Sequence, residues 1–192
     1  MPFQLHDETT APEASRSLLR DAGEASGHAS NAERVMAESP ELLEGFGLLY
    51  ALYDKTTLSP IERNVVTQTA NFENTCEYCV PWHTKACRAA GMSEPDVQAL
   101  RNDTPLSTPR LEALRRFTRS MILNRGKISA GEREAFFAAG YTERNSLEVV
   151  LGLAMKTMTN YTNSIAGTPL DAKVQSLAWK KPGIGIGSLG RP

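Results

Sequence analysis

The chain is punctuated along its length by helix start and stop signals, and this punctuation leaves little room for any fold but a helical one. Ser59-Pro60-Ile61-Glu62 supplies a capping hydroxyl, a proline at the first helical position and a glutamate that can close a capping box. Thr108-Pro109 opens a second helix in the same way, Ser129 with Glu132 forms another capping box, and Gly91, Gly126 and Gly140 fall where helices should stop. Between these marks the apolar residues recur at helical period, as in Leu111, Leu114, Phe117 and Met121, or Leu147, Val150, Leu151, Ala154 and Met158. No stretch alternates apolar and polar residues as a strand would. The fold class is therefore all-α, with helices expected near 14–21, 31–38, 40–53, 60–74, 76–90, 94–102, 109–124, 130–139 and 143–165.

At 192 residues and 41% hydrophobic content, one well-packed domain is expected. The 21 basic and 22 acidic residues nearly cancel, and no dense Lys or Arg block occurs, which argues against nucleic acid or an anionic membrane as partner. The longest apolar run, Val149 to Met155, is far too short to span a bilayer. Residues 1–30 are rich in Ala, Ser and charge and read as a mobile or partner-wrapping arm; 31–172 form the helical domain; 173–192 are a C-terminal extension ending in a Gly-rich tail from Pro182. Three cysteines is a sparse, odd count, and the first thirty residues hold no signal-peptide apolar stretch, so a cytoplasmic protein is expected.

The chemistry concentrates in Cys76-Glu77-Tyr78-Cys79-Val80-Pro81-Trp82-His83. On a helix, positions i, i+3 and i+7 share a face, so both thiols and the imidazole would converge. The cysteine Cα atoms would lie roughly 5 to 6 Å apart, within reach of a reversible disulfide. Asn74 or Thr75 can cap such a helix and leave the thiols near free backbone N–H groups, while Pro81 predicts a kink or a late helix start. His83, one turn beyond Cys79, can accept its proton, which makes Cys79 the better-supported nucleophile and Cys76 the resolving thiol; the opposite order, in which the N-terminal cysteine attacks, is that of thioredoxin-like CxxC sites. Tyr78 and Trp82 flank the thiols, and the Tyr78 hydroxyl can donate to a peroxide oxygen. A four-ligand zinc site including Cys87 is excluded on a continuous helix, because Cys79 and Cys87 would be about 12 Å apart; Cys87 is then a buried small apolar residue.

The segment from Leu58 to Cys87, LSPIERNVVTQTANFENTCEYCVPWHTKAC, resembles the core of the carboxymuconolactone decarboxylase and alkylhydroperoxidase D superfamily, and NYTNSIAGTPLD, Asn160 to Asp171, resembles its closing segment. The resemblance implies a multi-helix alkylhydroperoxidase D-like bundle, trimer-based homo-oligomers and thiol-dependent reduction of hydroperoxides with an external dithiol or thiol protein as reductant. It gives Cys79, Cys76 and His83 the roles of attacking thiol, resolving thiol and proton relay, and it implies no metal or organic cofactor. Two positions depart from the family pattern. Tyr78 stands where alkylhydroperoxidase D has a histidine, and the relay glutamate falls on Asn64, which cannot shuttle a proton by ionising. Glu73 and Glu77 are near enough in sequence to substitute, Glu62 is better explained as a cap, and Asn160, Tyr161 and Asn163 can line the same pocket. The rival readings are lactone decarboxylation, which has no need of a cysteine pair, and a redox sensor or scaffold switched by the disulfide.

Overall fold

The start signals are used as written. In the computed structural model, which describes residues 3–183, the Ser59 hydroxyl accepts the Glu62 N–H while the Glu62 carboxylate takes the Ser59 N–H, and the same reciprocal box closes at Ser30 with Glu33, Ser129 with Glu132 and Thr142 with Asn145. The elements that follow are α1 (Glu13–Ser26), α2 (Asn31–Met36), α3 (Pro40–Asp54), α4 (Pro60–Glu73), α5 (Cys79–Ala89), α6 (Glu94–Asn102), α7 (Pro109–Leu123), α8 (Ala130–Ala138) and α9 (Glu143–Ala166), then a short 3-10 helix (Ala172–Leu177). No strand occurs among the described residues, and none of their helices is long and apolar enough to cross a membrane.

Helix α4 is the hub, packed against α5, α6, α7 and α9. Its run from Val65 to Phe72 is buried without interruption, polar residues included. The main core lies on the side of α7 and α8, where Phe136 stacks between Phe117 and Tyr141 at centroid distances of 4.0 and 4.6 Å. Each fully buried large apolar side chain there contributes about 1.5 to 3 kcal/mol. Long α9 crosses the other side of α4 and comes close to α3. At Gly152 an added Cβ would stand 2.8 Å from the Tyr53 ring, so this crossing requires the smallest residue.

Both terminal segments, read from sequence as an arm and an extension, carry a helix, the first of them at the expected place. Residues 13–26 form α1, packed on α2 and α3 around a small core of Ala11, Leu19, Met36, Ala37 and Leu43. Ser15 donates to the Ala37 carbonyl at 2.6 Å, and buried His6 meets Glu38 at 2.6 Å. Low hydrophobicity hid a segment that needs only one apolar stripe to dock. The 3-10 helix packs on α5, with Val174 fully buried and the Trp179 ring 5.7 Å from Phe72. The Gly-rich tail beyond Gly183 lies outside the described residues.

Candidate active site

The turn between α4 and α5 sets the two thiols. After Asn74 the chain enters the left-handed region at Thr75 (φ 54°), and the Cys76 N–H returns to the Asn71 carbonyl at 2.9 Å while the Thr75 N–H returns to Phe72 at 3.1 Å. This is a Schellman closure with a β-branched residue at the position glycine usually takes. Helix α5 therefore begins at Cys79, not Cys76, and Pro81 sits in its first turn, where a missing N–H breaks no bond. Cys76 and Cys79 are joined in a disulfide across a Cα separation of 5.2 Å.

The two sulfurs have different surroundings. Cys76 packs among Ala32, Tyr78 and Leu170 and accepts the Cys79 N–H at 3.2 Å. Cys79 opens into a cavity of about 970 Å³ walled by α1, α2, α3, α5 and α9, with Leu18, Leu43, Phe46 and Trp82 among its apolar lining. The Cys79 sulfur also receives the side-chain amides of Asn160 at 3.1 Å and Asn163 at 3.4 Å, both from α9. Such donors stabilise a thiolate more than a thiol. Asn160 is itself fixed by Asn71 and Asn74, and Asn71 by Gln68, which donates to the Val80 carbonyl. The buried polar face of α4 is thus the scaffold that registers α5 and α9 around the thiols. The Asn163 Oδ1 is buried without a partner among the described residues, and Asn163 lines the cavity.

His83 lines the same cavity, yet its hydrogen bonds go to Thr67 and Lys156. Its Nδ1 lies 3.0 Å from the Thr67 hydroxyl and its Nε2 3.0 Å from the Lys156 amine. Because the Thr67 hydroxyl can donate to the Arg63 carbonyl at 3.1 Å, the consistent assignment places the imidazole proton on Nδ1 and leaves Nε2 to accept from Lys156. Burial, and then the neighbouring Lys156, hold the His83 pKa well below its usual range. Lys156 is only 4% exposed and has no carboxylate partner among the described residues; burial brings its pKa down to about 7.

Tyr78 and Trp82 are tied to one another's anchor. The Tyr78 hydroxyl donates to Asp171 and accepts the Ala32 N–H, while the Trp82 indole donates to the same carboxylate at 3.0 Å. Burial and Asp171 push the Tyr78 pKa up, and its hydroxyl is already engaged. Asp171 also accepts the Asn31 N–H, so it joins α2, α5 and the chain after α9 at one buried point.

The carboxylates singled out in sequence stand elsewhere. Glu62 caps α4 and pairs with Arg110 at 3.0 Å; Glu73 pairs with Arg119 at 3.0 Å; exposed Glu77 borders a separate cleft of about 400 Å³ beside Trp179. Asn64 donates to the Pro60 carbonyl and does not line the large cavity. Cys87 is fully buried, with its thiol pushed up to about 12. No cluster of three or more His, Cys, Asp or Glu among the described residues is arranged to hold a metal ion. Sequence reading missed Lys156 and Asp171; of the α9 residues it expected at the pocket, Asn160 and Asn163 reach the Cys79 sulfur, whereas Tyr161 is exposed. A signal for Lys156 was present: with Asn160 and Asn163 it makes a polar series at i, i+4 and i+7, in the register α9 buries.

The sequence profile of the Carboxymuconolactone decarboxylase family matches residues 37–120, from α3 through most of α7. No curated protein matches the chain. Among solved structures, an uncharacterized peroxidase-related protein from Silicibacter sp. TM1040 is similar over 91% of this chain and 92% of its own, with 21% identity and a TM-score of 0.75. An uncharacterized peroxidase-related protein with an alkylhydroperoxidase AhpD core, from Ralstonia eutropha JMP134, is similar over 90% and 93%, with 18% identity and a TM-score of 0.77. The debrominase Bmp8 in complex with 2,3,4-tribromopyrrole is similar over 91% and 92%, with 17% identity and a TM-score of 0.70.

Proposed function

We propose that the chain, whose residues 37–120 match the Carboxymuconolactone decarboxylase family profile and whose fold is that of alkylhydroperoxidase D-like proteins, is a member of that superfamily and a thiol-dependent peroxidase that reduces organic hydroperoxides at Cys79. The observation that carries this reading is the asymmetry of the pair: Cys79 faces a large, mostly apolar cavity under two amide donors, and Cys76 sits behind it within disulfide reach. Cys79 thiolate attacks the distal peroxide oxygen, forming an S–O bond and breaking O–O, and the alkoxide leaves as an alcohol after taking a proton. The Cys76 thiol then displaces water from the sulfenic acid and forms the disulfide. An external dithiol or thiol protein returns both cysteines to the reduced state. His83 belongs to the proton-handling side of the site. The protein works as a homo-oligomer in a reducing compartment, the cytoplasm, and the apolar outer face of α9 lies at the contact between copies.

Reacting the reduced protein with one equivalent of cumene hydroperoxide tests this. Intact mass should fall by the two hydrogens of a disulfide, Cys79→Ser should not react, and Cys76→Ser should give a sulfenic acid trappable on Cys79. Thiols that stay reduced would reject the peroxidase reading. The cavity size favours one second reading, since about 970 Å³ accepts an aromatic ring as readily as an alkyl hydroperoxide. The dithiol could then deliver its two electrons to a carbon–halogen bond, releasing halide and a proton. Bromide release from a brominated pyrrole, with the protein disulfide formed in equal amount, would identify that reaction instead.

A further inference from the structure

We propose that the Lys156 amine, on the cavity wall beside His83 and on the α9 face that carries Asn160 and Asn163, takes the proton of the Cys79 thiol and returns it to the alkoxide leaving group. The inference rests on the peroxidase reading and names the proton carrier that reading requires.

Geometry makes the case. Lys156, His83 and Cys79 line one cavity. Lys156 lies one helical turn before Asn160, whose amide touches the Cys79 sulfur, so the same face of α9 carries the amine and the thiolate donor to the one cavity, where water or the substrate oxygens can pass a proton between them. His83 is a poor candidate for the same task. Both its ring nitrogens are engaged, and a neutral ring with Nδ1–H on Thr67 has its one lone pair aimed at Lys156. Its role is positioning: it holds the amine by one hydrogen bond and leaves the remaining valences of nitrogen for the cavity.

The other ionisable groups around Lys156 are worse placed. Asp21 of α1 and Glu41 and Glu44 of α3 line the cavity but are exposed to solvent. Glu33 of α2 is committed to the Ser30 N–H and hydroxyl at 2.7 Å. Tyr50 of α3 and His28 before α2 also border the cavity, and α4 presents only the Thr67 hydroxyl to His83. Among the described residues none of these groups forms an ion pair with Lys156, so nothing fixes the amine in its charged form. Burial leaves it able to exist in both states near neutral pH.

The proton ledger closes without a further reactant. Thiol and amine become thiolate and ammonium; the thiolate takes the distal oxygen; the departing alkoxide takes the ammonium proton, and the amine is restored. Lys156→Gln is the informative variant, because its amide can still donate to His83 Nε2 but cannot carry a proton. Lys156→Met keeps the measurement available if the amide packs poorly, and Lys156→Arg supplies a permanent cation that cannot return a proton.

Two readouts are taken in each variant. The first is the pH dependence of iodoacetamide alkylation of Cys79 in a Cys76→Ser background. The second is the single-turnover rate with cumene hydroperoxide in the presence of both cysteines. Lys156→Gln and Lys156→Met should move the alkylation midpoint up by about one pH unit and slow the peroxide step at least about tenfold at pH 7. Lys156→Arg should keep the low midpoint and still be slow. Unchanged midpoint and rate in Lys156→Gln, or a slow rate with an unchanged midpoint in both Lys156→Gln and Lys156→Met, would overturn the proposal. A wild-type protein that leaves the hydroperoxide untouched would instead reject the peroxidase reading beneath it.

Discussion

Single side chains decide the ionisation of this site, and the most exposed of those decisions is the lysine with no counter-ion. An amine whose pKa falls from 10.5 to about 7 on folding binds a proton in the unfolded chain, and not in the folded one, between those two pH values. Stability therefore rises with pH across that window, and at pH 7 the buried amine costs the fold roughly 4 kcal/mol. Lys156→Met removes that cost but strands His83 Nε2, a loss of about 1 to 3 kcal/mol. The variant should resist urea better than wild type at pH 6.5, and its advantage should vanish by pH 9.5 when the two unfolding midpoints are compared. Asn163 acts in the other direction. Among the described residues its amide meets the Cys79 sulfur alone, so Asn163→Ala should raise the Cys79 thiol pKa by about one unit, the value of one long hydrogen bond to a charged acceptor, read from the alkylation rate against pH. Much of this was legible beforehand: the CxxC spacing located the thiols, and the four-residue spacing from Cys79 drew notice to His83. The partners of those residues come from distant α4 and α9, and the i, i+4, i+7 spacing that puts Lys156, Asn160 and Asn163 on one face of α9 does not encode that this face meets Cys79 and His83. Asn64 shows the converse, a position matched to a family relay whose side chain bonds the carbonyl one turn back.

Among the elements, the α4–α5 connection is where sequence logic and structure part. Capping boxes and Pro-at-N1 signals placed the starts of α4, α7 and α8 because each is a contact between residues three apart. The start of α5 has no such local code. Tyr78 at its N-cap makes no capping hydrogen bond, and the turn before it is shaped by backbone returns to α4 and by the Tyr78 hydroxyl held between Ala32 and Asp171. That turn places a β-branched residue at φ 54°, a conformation costing about 1 kcal/mol for a residue with a Cβ. Thr75 is exposed and gives up no packing. Thr75→Gly should therefore raise thermal stability by up to about 1 kcal/mol, or a melting shift of about 2 to 4 °C, with the disulfide still formed. A drop in melting temperature would show that the threonine side chain supports the turn in a way its backbone angles do not reveal.

At the scale of the whole molecule, one helix has two incompatible faces, and only one of them is satisfied within a single chain. The inner face of α9 carries Lys156, Asn160 and Asn163 to the thiols. The outer face carries Leu147, Val150, Tyr161 and Ile165, spaced i, i+3, i+14 and i+18 along the full length of the helix, with Leu147 70% and Ile165 71% exposed. A row of this length is more apolar surface than a monomer ordinarily leaves in water, and Leu48 and Leu52 on α3, the helix packed beside α9, are exposed as well. A second copy offers the same row and needs no new chemistry to cover it. Because α9 also carries the Asn160 and Asn163 amides that meet the Cys79 sulfur, an interface on its outer face would brace the helix that positions the thiolate donors. Leu147→Glu combined with Ile165→Glu places two desolvated charges in such a contact and leaves the inner face untouched. Sedimentation should then show a monomer where the wild-type protein sediments as a multiple of its mass, and the alkylation midpoint of Cys79 should broaden or rise as α9 loses its brace. A wild-type protein that sediments as a monomer would mean that the outer face of α9 is covered by something other than a copy of the same chain.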